Sequence, residues 1–304
     1  RRGRDEFQED ERIAPRHARG LASVAAVGHD AVASMAMLRY TSAMGITVSA
    51  LAFPRTAPST WPRVADPARA HLGIARWREV AAQLDDPELA DFARTLADLP
   101  SGRAILDPLF ANSPFLGDCF LSDAAFARTI LARGPNEILT TIHTETRQEL
   151  LRETDQAKLM RGLRIAKRRM ALAVGMADIF ATWSLEQVTN ALTDFAELAL
   201  SLAVTHLLRK AAATKAFALP DADDVESESG LVVLGMGKLG ARELNYSSDI
   251  DLILLYDRER IRAADDDKVH QAFVRLARDL VKILEKRTAD GYVFRTDLRL
   301  RPDP

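Results

Sequence analysis

The sequence predicts an α+β protein in which a helical N-terminal region is followed by a small β-sheet. Between about residues 65 and 219, apolar residues recur near the period of about 3.6 that is typical of helices. After the acidic stretch PDADDVESESG at residues 220–230, short apolar runs alternate with turns and one amphipathic helix. The order strand, helix, strand, helix, strand in this second part is typical of an α/β or α+β unit.

The same patterns divide the chain into three segments. Residues 1–60 are dominated by Arg and Ala without a sustained period, so we expect an uncertain or disordered leader there. Residues 65–220 are expected to form a helical N-terminal domain, and residues 230–304 a domain built on the sheet. This last domain is short for a complete catalytic domain. We therefore expect the chain to be a fragment that is incomplete at its C-terminus.

The helical region carries three recognisable signals. Ser184 and Gln187 have the spacing of a capping box, which predicts a helix start at Ser184. Ser113-Pro114 predicts a break between two earlier helices. A helix expected from about residue 146 to 180 is rich in basic residues. We interpret their face as solvated, with a positive wall facing a phosphate site as the alternative. These residues are Arg161, Arg164, Lys167, Arg168 and Arg169.

The second part contains three predicted strands and two predicted helices. The strands are LVVL, SDIDLILLYD and YVFRTDLRLRP, and the helices are GKLGARELN and residues 268–287. Side chains of a strand alternate between its two faces. In the third strand this would separate Val293, Arg295, Asp297, Arg299 and Arg301 from Tyr292, Phe294, Leu298 and Leu300.

Composition argues against several classes of protein. The 41 basic and 43 acidic residues give a net charge of −2, which is not typical of nucleic-acid-binding proteins. The one cysteine, Cys119, cannot form an internal disulfide, and the six histidines form no zinc motif. No apolar run reaches the ~18 residues that cross a membrane. We therefore expect a cytoplasmic protein with no nucleic-acid or membrane partner.

The stretch LVVLGMGKLGARELNYSSDIDLILLYD contains the pattern G-x-G-x-x-G at Gly235, Gly237 and Gly240. After a strand, this pattern is typical of dinucleotide-binding sites, which also need a full crossover helix and an acidic residue about 20 positions later. Residues 240–247 leave room for only about two helical turns, and the next strand opens with Asp249 and Asp251. A NAD-dependent oxidoreductase is therefore the weakest hypothesis.

Asp249 and Asp251 predict a divalent-cation site instead. Residues two apart on a strand point to the same side, so both carboxylates would face one way. Packing gives no reason for two like charges there, whereas hard carboxylate oxygens suit Mg²⁺. Capping of a turn by Ser248 and Asp249 is the structural alternative.

Arginines around Asp297 would suit metal-bound phosphates, because Arg supplies planar, bidentate donors. A charged edge strand is the alternative there.

Together, the glycine turn, the D-x-D strand and Asp297 on a later strand resemble the nucleotidyltransferase fold shared with DNA polymerase beta. The segments LGMGKLGARELNYSSDIDLILLYD and FRTDLRLRP closely resemble the glutamine synthetase adenylyltransferase family, as do NSPFL, the Arg-rich helix and SLEQVTNALTDFA upstream. The resemblance covers residues 70–304. It implies an α+β fold, with a helical N-terminal domain followed by a polymerase-beta-like nucleotidyltransferase mixed sheet.

Members of this family carry two nucleotidyltransferase halves, and ELNYSSDID after a long helical region resembles the N-terminal, adenylyl-removing half. The resemblance implies Mg²⁺-dependent phosphorolysis, in which phosphate removes AMP from a tyrosine of glutamine synthetase and gives ADP. It implies glutamine synthetase, ATP/ADP, phosphate and a PII-type signal protein as partners. The implied catalytic metal ligands are Asp249, Asp251 and Asp297, and the implied nucleotide or phosphate contacts are Gly237, Lys238, Gly240, Ser248, Arg299 and Arg301.

Two other functions remain open from the sequence. The same fold could work in the attaching direction with ATP, or the chain could be a catalytically silent module that binds only nucleotide or a PII-type signal protein. A silent module gives no reason to keep Asp249, Asp251 and Asp297 together. Their combination therefore favours an enzyme of the nucleotidyltransferase class.

Overall fold

The computed structural model describes residues 51–54, 56–219, 225–261 and 266–298, which belong to one compact unit that spans residues 46–304. Most of the leader expected at residues 1–60 lies outside the described residues, so its disorder stays a prediction. At its described end, Phe53 is buried, and its amide donates to the Leu131 carbonyl. The division into two domains at about residue 220 also stays a prediction.

Within the described residues before position 220, eight α-helices pack around a shared apolar core. Many of them begin with Pro in the first turn and with Asp or Ser at the N-cap. Pro has the backbone angle of a first turn, and the capping oxygen accepts from amides that lack a helical partner. The helices are α1 (Pro67–Gln83), α2 (Pro87–Asp98), α3 (Pro100–Asn112), α4 (Pro114–Ser122), α5 (Ala124–Arg133), α6 (Pro135–Leu150), α7 (Gln156–Ile179) and α8 (Leu185–Ala213).

The break predicted at Ser113-Pro114 is confirmed, because α3 ends at Asn112 and the Ser113 side chain caps α4. The single helix predicted over residues 146–180 is wrong. The chain leaves the helix after Leu150, and α7 begins only at Gln156. Asp155 explains the new start, since its carboxylate accepts from two amides at 2.7 and 3.3 Å. The polar residues 152–155 that precede α7 separate the two helices.

Helix α8 begins where the capping box predicts. Ser184 Oγ accepts from the Gln187 amide, and the Gln187 side chain accepts from the Ser184 amide at 2.9 Å. The helix is 29 residues long with a mean hydropathy of 1.4 in its most apolar window, so by length and composition it could cross a membrane. However, 78% of that window is buried inside the fold. Its apolar surface is therefore covered by the neighbouring helices.

The sheet is mixed, as predicted. Strand β1 (Leu231–Met236) pairs antiparallel with β2 (Ile250–Tyr256), and β2 pairs parallel with β3 (Thr296–Asp297). Two short helices, α9 (Val225–Glu228) and α10 (Gly237–Gly240), flank β1. The predicted amphipathic helix is confirmed as α11 (Asp266–Glu285). Its predicted apolar face is buried: Val269, Phe273, Leu276, Leu280 and Leu284.

The long third strand predicted from YVFRTDLRLRP is wrong in its described part, because only Thr296 and Asp297 join the sheet. The amides of Val293 and Phe294 both donate to the Leu284 carbonyl at the end of α11. Both side chains are buried, at 1% and 4% exposure, so they do not alternate between two faces. This segment therefore caps the C-terminal end of α11 before it joins the sheet. Residues 299–304 lie outside the described residues.

Candidate functional site

The turn after β1 packs tightly against β2. Gly237 has a φ of +53°, a left-handed conformation that favours glycine. A Cβ atom at Gly237 would lie 2.7 Å from Asp251 Oδ2, and one at Gly240 would overlap the Gly235 carbonyl oxygen. The glycines therefore allow the backbone to lie directly against the Asp251 carboxylate.

The nine-residue helix predicted from GKLGARELN is shorter in the structure. Only Gly237–Gly240 is helical, and Arg242 has a φ of +59°. The Arg242 guanidinium binds the carboxylates of Asp194 and Glu197 on α8, which draws the chain away from the helical path. Among the described residues between β1 and β2, there is no full crossover helix of the kind that a dinucleotide-binding site requires.

Asp251 and Asp297 lie side by side. Asp251 pairs with Met236 of β1 on one side and with Asp297 of β3 on the other. Residues paired in register on neighbouring strands point to the same face of a sheet. The structure thus brings these two predicted site residues to one end of the sheet, next to the Gly237 turn.

Asp249 lies one residue before β2, and its carboxylate forms an ion pair with Arg295. Arg295 Nε donates to Asp249 Oδ1 at 2.5 Å, and its Nη2 donates to the Ser247 carbonyl at 2.8 Å. The hydrogen bond to Asp249 raises the pKa of Arg295 above its usual value. Both side chains are at least half exposed, so this ion pair is screened by solvent.

The three predicted metal ligands do not form one compact group in this structure. Among the described residues, no three His, Cys, Asp or Glu side chains are placed to hold a metal ion together. The donor chemistry still suits a hard cation, because Asp251 and Asp297 are carboxylates paired in register on neighbouring strands. The metal role of Asp249, Asp251 and Asp297 stays a prediction.

The predicted phosphate contacts are found in different settings. Lys238 is exposed on α10, beside the glycine turn. Ser248 Oγ donates to Asn245 Oδ1 at 2.6 Å within the loop that leads to β2. That bond corresponds to the turn-capping alternative for Ser248. Arg299 and Arg301 lie outside the described residues.

Gly237→Ala is expected to destabilise the fold more than Gly291→Ala. Both glycines have a positive φ, at +53° and +90°, but an added Cβ at Gly291 meets nothing within 4 Å. Backbone strain alone costs about 1–2 kcal/mol, and only Gly237→Ala must also displace the Asp251 carboxylate. Free energies of unfolding from urea titration of both variants provide the comparison. Equal losses would show that the turn does not need to approach Asp251 closely.

The interpretation of the basic face of α7 as solvated is wrong for Arg164, which is 1% exposed. Its guanidinium donates to four backbone carbonyls and thereby joins α7 to the end of α11 and the loop after it. Arg161 on the same helix is 73% exposed, as predicted for a solvated residue. The acceptors of Arg164 are Met160 at 2.8 Å, Lys286 at 2.5 Å, Gly291 at 2.9 Å and Ile283 at 3.0 Å.

A cavity of about 520 Å³, which sequence patterns alone did not predict, lies beside the site. Helices α4 and α7 form one wall, and the loops at residues 246–248 and 290–295 form the other. Across it, the Tyr246 hydroxyl donates to Asp178 Oδ2 at 2.9 Å, and burial, together with this hydrogen bond, raises the pKa of Tyr246. The basic run of α7 was the one signal in the sequence that pointed to this region.

Comparison with known proteins agrees with the resemblance. Residues 104–304 match the model of the glutamate-ammonia ligase adenylyltransferase family. Three curated relatives are each a bifunctional glutamine synthetase adenylyltransferase/adenylyl-removing enzyme. That of Bradyrhizobium sp. strain BTAi1 is 43% identical over 80% of this chain and 24% of the relative. That of Rhizobium meliloti strain 1021 is 44% identical over 70% and 22%, and that of Rhodopseudomonas palustris strain HaA2 39% identical over 80% and 24%.

The chain spans about a quarter of the length of these relatives. The family model covers most of the described chain, from α3 through the whole sheet. Both the helical region and the glycine turn with its carboxylates lie inside the matched residues. This chain belongs to the glutamate-ammonia ligase adenylyltransferase family.

Proposed function

We propose that this chain carries an adenylyl-removing site, which takes AMP from adenylylated glutamine synthetase by Mg²⁺-dependent phosphorolysis. The observation that supports it most is the packing of the Gly237 turn against the Asp251 carboxylate, with Asp297 in register beside it. Two adjacent carboxylates beside a glycine turn suit a metal ion that binds a phosphoryl group. The names of the relatives favour glutamine synthetase as the protein substrate.

The proposed reaction balances without an added base. An oxygen of hydrogen phosphate bonds to the phosphorus of the tyrosyl-AMP diester, and the bond from that phosphorus to the tyrosine oxygen breaks. The proton of hydrogen phosphate passes to the tyrosine oxygen, so the products are ADP and free tyrosine. Because the nucleophile is already an anion, the site needs charge neutralisation and alignment more than a strong base.

Asp251 and Asp297 are the proposed principal ligands of Mg²⁺. When bound, Mg²⁺ would neutralise charge on the phosphoryl oxygens and help to align the reacting groups. Asp249 is the third proposed ligand, and it would exchange its hydrogen bond with Arg295 for the metal. Arg295 would keep its hydrogen bond to the Ser247 carbonyl and would place a positive charge without a carboxylate partner at the edge of the site.

The remaining residues are assigned to phosphate contacts. Backbone amides of the turn at Gly237 and Gly240 are the proposed donors to the nucleotide phosphates, with Lys238 as an exposed cation beside them. We propose that Ser248 contributes its hydroxyl. Arg299 and Arg301 follow β3 directly in the chain and are the proposed holders of the attacking phosphate.

Two alternatives lead to different products. The attaching direction would consume ATP and unmodified glutamine synthetase and release pyrophosphate. A silent module would bind nucleotide or a PII-type signal protein and release nothing. A cytoplasmic location and a PII-type partner are part of the proposal for the whole regulator.

The direct test incubates the full-length protein with adenylylated glutamine synthetase, Mg²⁺ and increasing phosphate. We expect ADP formation that saturates with phosphate and stops with a chelator. A parallel reaction with ATP and unmodified glutamine synthetase measures pyrophosphate and so reports the attaching direction separately. The proposal would be abandoned if AMP removal did not depend on phosphate.

A further inference from the structure

The cavity beside the candidate site is lined by two cations, Lys167 and Arg168, that form no ion pair with a carboxylate among the described residues. It has a volume of about 520 Å³, within the range of small-molecule pockets. Ser248 and Arg295 contribute to its lining, so it opens next to the proposed metal ligands. Aromatic rings of Tyr246 and Tyr292 line it as well, and both are partly exposed.

Lys167 is the first of these cations. Its Nζ lies 4.0 Å from the centre of the Phe294 ring and 5.9 Å from that of Phe195. In the described part of the chain, no carboxylate lies within 4.0 Å of this ammonium group. Burial lowers the pKa of Lys167 to about 8. Removing a charge from water without a counterion is unfavourable, and ring faces offset only part of that cost.

Arg168 is the second. Its Nε is buried and has no hydrogen-bond partner among the described residues. The other basic residues of this part of α7 have structural partners: Arg164 donates to backbone carbonyls, and Arg169 pairs with Asp123 at 2.8 Å. A buried donor without an acceptor is rare in folded proteins. Lys167 and Arg168 therefore both line the cavity, one without a carboxylate partner and the other with an unpartnered Nε among the described residues.

Among the described residues, neither carboxylate of the cavity lining forms an ion pair with Lys167 or Arg168. Asp178 accepts from the Tyr246 hydroxyl, and Asp290 lies 3.9 Å from the guanidinium of Arg161. Arg295, the remaining cation of the lining, is bound to Asp249. The charge balance of the cavity thus leaves room for an anion from outside the protein.

We propose that this cavity binds a phosphoryl group through Lys167 and Arg168. A phosphoryl group offers several acceptor oxygens and negative charge, which suits an ammonium beside an unpaired guanidinium donor. The source is either free phosphate or the phosphate of a nucleotide. The inference rests on the proposed function in one respect, since phosphate and ADP are its substrate and product.

The test measures binding of inorganic phosphate and of ADP to the full-length protein by calorimetry, in the presence of a chelator. The chelator removes binding through metal, and the variants of Lys167 and Arg168 then identify the part of the remaining binding that depends on the cavity. Lys167→Met and Arg168→Gln should each weaken one class of sites about 10-fold or more, the effect of losing a charge-assisted hydrogen bond. Lys158→Met, at an exposed position on the same helix, is the matched control and should bind like wild type.

Folding of the variants is checked by thermal unfolding. Lys167→Met should not lower the melting temperature, because methionine keeps an apolar side chain of similar length. The substitution also removes the desolvated ammonium charge of Lys167. Arg168→Gln retains a polar group and removes the guanidinium, so it tests the site independently of Lys167→Met.

Two results support the proposal and identify the source. Tight ADP binding that phosphate displaces weakly indicates a nucleotide phosphate, and phosphate binding as tight as that of ADP indicates free phosphate. The proposal is overturned if the cavity variants bind both compounds as wild type does, or if neither compound binds wild type. Loss of ADP formation with binding intact would instead refute the proposed function and leave the cavity site standing.

Discussion

The Asp251→Asn variant is expected to lose about 1,000-fold or more of the metal-dependent AMP-removing activity while keeping its fold. Asp251 lies between Met236 and Asp297 in the sheet, directly under the Gly237 turn. Asparagine has nearly the same shape but lacks the negative charge that a hard cation requires. Loss of several kcal/mol of transition-state stabilisation corresponds to about this factor in rate.

The matched control is Asp257→Asn, just beyond the other end of β2. Asp257 is exposed, and its Oδ1 accepts from the Glu259 amide at 3.0 Å, a bond that asparagine retains. Its activity should equal that of wild type. The melting temperature of Asp251→Asn without metal should equal or exceed that of wild type, because one of two adjacent negative charges is removed. Wild-type activity of Asp251→Asn would refute the metal role of this residue.

The second large effect is expected in stability. Arg164→Met should lower the free energy of unfolding by about 2–4 kcal/mol, because it leaves buried carbonyls of α7 and α11 without their donor. Arg164 is 1% exposed and donates to the carbonyls of Ile283, Lys286 and Gly291 beyond its own helix. These bonds join the helical region to the segment that leads into β3. Chemical denaturation followed by circular dichroism measures the loss.

Arg161→Met is the matched control for Arg164→Met, because it removes the same group from the same helix. Arg161 is 73% exposed, and its Nε lies 3.9 Å from Asp290 Oδ2. Such exposed ion pairs contribute about 0–1 kcal/mol. If both variants lost the same stability, the carbonyl contacts of Arg164 would have no special structural value.

Features coded by short-range signals were predictable from the sequence. The capping box at Ser184, the break at Ser113-Pro114 and the apolar face of α11 each depend on residues within a few positions of one another. Strands β1 and β2 also followed from local patterns, since both are short apolar runs with turn residues around them, whereas the mixed strand directions were implied only by the family resemblance.

Features that depend on distant partners were not predictable. The third strand is limited to Thr296 and Asp297 because the preceding amides bind the Leu284 carbonyl. The position of Arg164 in the sequence does not distinguish it from the exposed basic residues of α7. It is buried because α11 packs against it. The bond of Arg295 to Asp249 joins positions 46 residues apart, which no local pattern indicates.

The individual residues of the candidate site were predictable from the sequence, but the way in which distant segments come together around them was less so. The D-x-D spacing and the glycine turn identified Asp251 and its close neighbour Gly237, which the structure brings into contact distance. The cavity lined by Lys167 and Arg168 requires two walls from separate parts of the chain. Periodicity gave the basic run but not which of its residues face the cavity.

The fate of labelled phosphate tests the central claim most directly. Adenylylated glutamine synthetase is incubated with the full-length protein, Mg²⁺ and radiolabelled inorganic phosphate, and the nucleotides are separated. The account predicts label in the β-phosphate of ADP, in an amount equal to the AMP removed, with wild type and Asp257→Asn but not with Asp251→Asn. Release of unlabelled AMP, or labelled ADP from Asp251→Asn at the wild-type rate, would contradict it.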